Sequence, residues 1–133
     1  MKRKGTSIIF VNDKQQVLLF LRDDKPDIIY PNMWDVPGGH VEPDETPEQC
    51  IIREMKEEMD IDLKDFHLLY VKEFKDRIEY TYWKNANLNI DEINLMEGQC
   101  LKWFTRKEAK NTELAYGFNE IVEEFYNWIG EKI

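Results

Sequence analysis

The segment from Pro37 to Ile61 constrains this chain more than any other, because it dictates a close backbone approach followed by a helix with two unlike faces. Pro37-Gly38-Gly39 is predicted to be a turn that bends sharply and lies close against a neighbour, since glycine adopts backbone angles closed to other residues. A helix is predicted to start soon after. Thr46 suits the N-cap, Pro47 the first helical position, and Gln49 stands three residues after Thr46 as a reciprocal capping box requires. At about 100° per residue, with Arg53 as origin, Glu57 falls near 40°, Glu54 near 100° and Glu58 near 140°. Three carboxylates therefore share one face. Ile51, Ile52, Met55 and Met59 spread over roughly 160° to 260° and are predicted to pack on a core. Like charges one turn apart repel by about 0.2–0.5 kcal/mol per pair, a cost that a bound cation would reverse.

A charged run such as Glu54-Met55-Lys56-Glu57-Glu58 is, taken alone, usually a solvated helix face. Spacing across the whole segment gives it another meaning. Gly39, five residues, Glu45, seven residues and then Arg53-Glu54-Met55-x-Glu57-Glu58 resembles the Nudix box, Gly-x5-Glu-x7-Arg-Glu-U-x-Glu-Glu-x-Gly-U, where U is a bulky aliphatic residue; eight of the nine specified positions match. The departure is Asp60, where the family has the glycine that ends the helix in a left-handed conformation. Asp is among the few other residues that visit this conformation, so the expected cost is about 1 kcal/mol, with no carboxylate lost.

The resemblance implies an α/β (α+β) fold, an α/β/α sandwich around a central mixed β-sheet, and a single domain over residues 1–133. It also implies hydrolysis of a phosphoric anhydride. That chemistry requires neutralised phosphoryl oxygens, a positioned water and removal of its proton. Hard cations such as Mg²⁺ or Mn²⁺ prefer oxygen ligands. By similarity to the family, Glu57 and Glu58 are the principal metal ligands, Glu54 is a further ligand or the base, and the Gly38 carbonyl completes the shell. Arg53 then pairs with Glu57, Gly39 supports the site, and Glu45 braces the loop against the helix. Glu97, in Glu97-Gly98-Gln99 before the last strand, is the expected distant acid and a second choice for the base. Glu79 and Glu92 are weaker candidates.

Substrate recognition is less visible. Trp34, Phe74, Tyr80 or Tyr82 could stack on a base, although aromatics at strand spacing more often belong to a core. Arg22 and His40 are candidates for phosphate contacts, and Asn119 for reading a base edge. No proline follows Pro47, which sets the chain apart from ADP-ribose-directed relatives. Its compact length and Thr46-Pro47-Glu48-Gln49 are most similar to the MutT-type group. The expected substrate is a ribo- or deoxyribonucleoside triphosphate, giving the monophosphate and pyrophosphate. The alternatives are a nucleoside diphosphate sugar hydrolase and, in another class, a non-catalytic nucleotide sensor.

The rest of the chain bounds these readings. Its 133 residues suffice for one core and not for two. A net charge of −9 argues against a nucleic-acid polymer as partner and makes a mediating cation necessary for an anionic substrate. Cys50 and Cys100 are expected as two buried or half-buried thiols in a reducing compartment. The apolar run Ile8-Ile9-Phe10-Val11 is too short for a signal peptide or a span, so a cytoplasmic protein, monomer or homodimer, is expected. Strands are predicted over 6–11 and 16–22 as a hairpin, and over 66–74, 78–83 and 99–104, with polar loops over 23–33 and 84–97. Thr105 with Glu108 marks a short helix, and Phe118, Ile121, Val122, Phe125 and Ile129 mark a C-terminal one.

Overall fold

The computed structural model describes residues 2–130; Met1 and residues 131–133 of the expected domain lie outside them. Strand β1 (Arg3–Val11) organises everything else. Its period of two sends Ile8 and Phe10 to one face and Ile9 and Val11 to the other, and all four are buried. A strand buried on both faces needs a layer on each side.

A turn at 12–16, with Asn12 N donating to Gln16 O, leads to β2 (Val17–Leu21). β2 pairs with β1 only at Val11↔Val17. The two strands then diverge, and β3 (Trp34–Asp35) and β4 (Gly38–His40) wedge between them. β3 lies antiparallel to β2, and β4 antiparallel to β1. Ile8 N donates to Pro37 O where the wedge turns from one strand to the other. On the other side of β1, β6 (Arg77–Asn85) runs parallel from Arg3↔Arg77 to Val11↔Asn85, and β5 (His67–Glu73) pairs antiparallel with it. β7 (Cys100–Phe104) lies antiparallel to β2. The described residues thus form a mixed sheet of seven strands.

Helix α1 (Pro47–Met59) covers the Ile8 and Phe10 face with Ile51, Met55 and Met59. Each such side chain contributes about 1.5–3 kcal/mol on burial. After the short α2 (Arg106–Lys110), α3 (Phe118–Gly130) covers the opposite face with Ile121, Val122, Phe125 and Ile129. This is the expected sandwich. Both capping boxes form: Gln49 N donates to Thr46 Oγ1 and Thr46 N to Gln49 Oε1, with the same reciprocity between Thr105 and Glu108. Asp60 ends α1 at φ 54°, ψ 39°, the left-handed conformation expected of it.

The predicted turn bends at Pro37. Gly38 follows at φ 156°, an angle residues with a side chain rarely adopt, and closeness requires glycine there too, because a Cβ would collide with the Thr6 carbonyl. Two expectations are corrected. Ile52 is 39% exposed, whereas Glu58, on the other margin of the apolar arc, is only 7% exposed: the buried arc of α1 is rotated toward β4. Separately, the least exposed positions of β6 include Arg77, Glu79 and Thr81, while Ile78 and Tyr80 are half-buried. Cys50 is buried, but Cys100 is exposed on a strand at the sheet's margin.

These local devices carry measurable stability. Thr46→Ala should lower unfolding free energy by about 1 kcal/mol, and Asp60→Gly should raise it by about 1 kcal/mol. Urea titration reads both. No change for either variant would mean that the ends of α1 are held by tertiary packing alone.

Candidate active site

Gly39 brings α1 and the sheet together. A Cβ there would overlap the Glu54 carboxyl, so only glycine lets that carboxyl lie against the backbone of β4. Thr6 Oγ1 donates to Gly39 O at 3.1 Å, and Cys50 Sγ sits 3.2 Å from the same hydroxyl. Burial pushes the Cys50 thiol up to about 11, so it stays a neutral packing group.

Arg53 is the hub of the acidic face. Its Nε donates to Glu45 Oε2 at 3.0 Å and its Nη2 to Glu45 Oε1 at 2.7 Å. Nη1 reaches Glu54 Oε1 at 2.8 Å and Glu57 Oε2 at 3.1 Å, and Nη2 also reaches the His40 carbonyl. One planar guanidinium thus spaces three carboxylates and ties them to β4, as a compact ammonium could not. Glu45 further accepts from Glu42 N, so it does brace the loop.

The three helical acids have different surroundings. Glu57 is open to solvent, with its side chain 56% exposed. Glu54 is partly enclosed, and burial raises its pKa against the opposing pull of Arg53. Glu58 is buried and is pushed up to about 9, first by burial and then by the charges of Glu54 and Glu97. Glu54 and Glu58 influence each other's protonation: the charge of Glu54 is among the causes that raise Glu58.

Glu58 faces a cavity of about 240 Å³, and Glu97, Gly38, Gly39, His40 and Arg22 also line it. Glu97 therefore lines the same cavity as Glu58. Among the described residues no three His, Cys, Asp or Glu side chains already converge as a metal cluster. The donor set is nevertheless all oxygen, which is the set hard cations prefer.

Several substrate-side expectations are corrected. Trp34 packs into the α3-side core, edge-on to Phe104 with ring centroids 5.0 Å apart, and does not line the cavity. Tyr80 joins the core on the α1 side. Asn119 spends its whole amide on the chain: Oδ1 accepts from Leu114 N, and Nδ2 donates to the carbonyls of Ala109 and Thr112. Arg22 lines the cavity, yet its donors go to Asp35 Oδ2 at 3.1 Å and to the Ile29 and Tyr30 carbonyls. His40 contacts Arg3 Nη1, and burial with two nearby arginines lowers its pKa, which disfavours a cationic ring.

Other residues lining the cavity were not singled out in the sequence, apart from Glu79, a weaker candidate for the distant acid. Asp35 is buried and pushed up to about 7 by burial, against the charge of Arg22. Arg77 donates through Nε to Glu79 Oε1 at 2.7 Å, both side chains being nearly inaccessible. Tyr116, at a left-handed φ of 57°, presents its ring to Arg3, Arg22 and Arg77. The available signal was Arg77-x-Glu79, two opposite charges on one face of a predicted strand.

The Glu45 carboxyl is held down at about 2, from an ordinary 4.5, chiefly by its hydrogen bonds from Arg53. A depressed carboxylate stabilises the fold fully above its unfolded value, and this is lost as pH falls from about 4.5 toward 2. The difference in thermal midpoint between the native chain and Glu45→Gln should be constant near neutrality and shrink in that acid window. A gap that does not narrow would show that Glu45 acts without its charge.

The family model of the NUDIX domain matches residues 1–128. A candidate 8-oxo-dGTP diphosphatase of Bacillus subtilis (strain 168) is 41% identical over 58 residues, covering 44% of this chain and 35% of that protein. Diphosphoinositol polyphosphate phosphohydrolase 2 of Mus musculus is 32% identical over 114 residues, covering 81% of this chain and 60% of that protein. The chain thus aligns with less than two thirds of the length of either relative. Among solved structures, a MutT NUDIX hydrolase from Burkholderia pseudomallei superposes with a TM-score of 0.75 at 25% identity, covering 92% of this chain and 97% of the other. The motif, the sandwich that presents it and the family model across residues 1–128 together show that this chain belongs to the Nudix hydrolase family.

Proposed function

We propose that this chain acts, as one domain over residues 1–133, as a metal-dependent hydrolase of a phosphoric anhydride in a nucleoside diphosphate linked to another moiety. The preferred substrate is a nucleoside triphosphate, cleaved to the monophosphate and pyrophosphate. The observation that carries this reading is the placement of Glu58, buried at the wall of a cavity that Glu97 also lines, with Glu54 and Glu97 both near enough for their charges to act on it.

Glu54, Glu57 and Glu58, with the Gly38 carbonyl, are the oxygen donors that would hold Mg²⁺ or Mn²⁺. When bound there, such an ion neutralises phosphoryl oxygens. The chain's own residues do the rest. Arg53 sets the spacing of the acids, Gly38 and Gly39 let β4 lie against β1 and against the Glu54 carboxyl, and Glu54 or Glu97 takes the proton of the attacking water. Net charge −9 works against any anionic substrate, so the neutralising cation is a requirement of the reading.

A panel of nucleoside triphosphates, nucleoside diphosphate sugars and diphosphoinositol polyphosphate, assayed with Mg²⁺, tests it. Monophosphate and pyrophosphate should appear from a triphosphate, and chelator should abolish this. Turnover indifferent to chelator would defeat the proposal. Glu58→Gln should lower kcat about a hundredfold or more while leaving the thermal midpoint equal or higher near neutral pH, because glutamine is neutral without the proton uptake that burying Glu58 requires. Loss of the proton acceptor should lower kcat by about 10²–10⁴. Comparing Glu54→Gln with Glu97→Gln in single-turnover assays identifies which carboxylate has that role, and no loss in either would remove both.

A further inference from the structure

Glu97 sits in no helix or strand, yet the chain is pinned on either side of it. On one side Met96 N donates to the Glu58 carbonyl at 2.7 Å, a carbonyl in the last turn of α1 that has no partner within the helix. The backbone of Glu58 is thus joined directly to the residue before Glu97. On the other side Gly98, at φ 86°, crosses the end of β2 so closely that a Cβ would come within 2.8 Å of the Phe20 ring and 2.9 Å of the Leu21 carbonyl. Gln99 N then donates to that same carbonyl at 2.8 Å, immediately before β7 begins.

The Gln99 side chain completes the hold. Its Nε2 donates to the Arg22 carbonyl at 2.8 Å and to Asn32 Oδ1 at 3.0 Å. A backbone carbonyl only accepts, so the Arg22 bond fixes which way the Gln99 amide faces, and both of its N–H groups are used. Asn32 is itself set, at a left-handed φ of 57°, by its own N–H to the Asp23 carbonyl at 3.0 Å. One amide therefore ties the Glu97 segment both to the end of β2 and to the loop over 23–33. Gln99 is exposed, and a hydrogen bond that competes with water adds little net stability. Its effect is on where the segment lies.

We infer that Gln99 is a positioning residue that holds Glu97 at the cavity, with the Met96 to Glu58 bond as its counterpart on the other side. This rests on the reading of Glu97 as proton acceptor, since a base must lie within hydrogen-bond reach of the water it deprotonates. Gln99 does not line the cavity and acts through Glu97.

Hydrolysis of ATP, GTP, CTP and UTP with Mg²⁺ by the whole chain, read together with amide hydrogen exchange, tests this. Gln99→Ala should lower the single-turnover rate about tenfold to a hundredfold with KM nearly unchanged, because a displaced base weakens only the transition state. Asn32→Gly, which removes the acceptor and tolerates the positive φ, should give a smaller loss in the same direction, since the Arg22 bond remains. In the Glu97→Gln background, Gln99→Ala should cost nothing further. Exchange at the Met96 and Gln99 amides should quicken in Gln99→Ala while the thermal midpoint stays close to that of the native chain. An equal loss in both backgrounds would show a general structural role and overturn the inference. So would an unchanged rate in Gln99→Ala where Glu97→Gln is slow, a result that leaves the role of Glu97 standing. A Glu97→Gln variant as fast as the native chain would remove the proton-acceptor role and this inference with it. Were no triphosphate turned over, the hydrolase reading would fall and exchange alone would decide, equal exchange at both amides overturning the inference.

Discussion

The approach of β4 to both β1 and α1 is the contact on which the rest depends. Gly38 lies against the backbone of Thr6, and Gly39 lies against the Glu54 carboxyl, at separations that leave no room for a Cβ on either residue. Because β4 can sit that close, the wedge between β1 and β2 closes around Pro37, and α1 is held with its acids facing the opening. Any side chain at these positions would push the helix from the sheet. The box acids would then face solvent, where charged helix faces ordinarily stay.

Charge is then managed locally. A chain of net charge −9 gathers Glu54, Glu57, Glu58, Glu97, Asp35 and Glu79 around one region, and three arginines make this tolerable. Arg53 spaces the helical acids, Arg22 faces Asp35, and Arg77 faces Glu79. Glu58, which no arginine reaches among the ion pairs of the described residues, is raised by burial and by the charges of Glu54 and Glu97. Buried charges contribute little to net stability once desolvation is counted, so this arrangement is better explained by site chemistry than by folding.

How much of this was legible varied with the range of the interaction. The capped start of α1, its left-handed end at Asp60 and the stripe of α3 depend on neighbours within a turn or two, and they appear as expected. Glu97 lines the same cavity as Glu58 because the strand after it returns to β2. The stacking and base-reading candidates failed for one reason. Whether Trp34 or Tyr80 meets a core or a cavity, and whether the Asn119 amide is free, depends on which layer covers that face, which local pattern does not encode.

The sequence by itself determined the family, five of the seven strands and the acidic face of α1, because spacing along a helix or strand is a local and rigid quantity. Only the tertiary structure decided that Glu58 is buried while Glu57 is open, and that Arg77 and Glu79 form a charged wall inside the sheet. Those outcomes arise where β1, β4 and β6 meet, between residues far apart in the chain. Burial there sets the charge state of a carboxyl more strongly than its neighbours in sequence do.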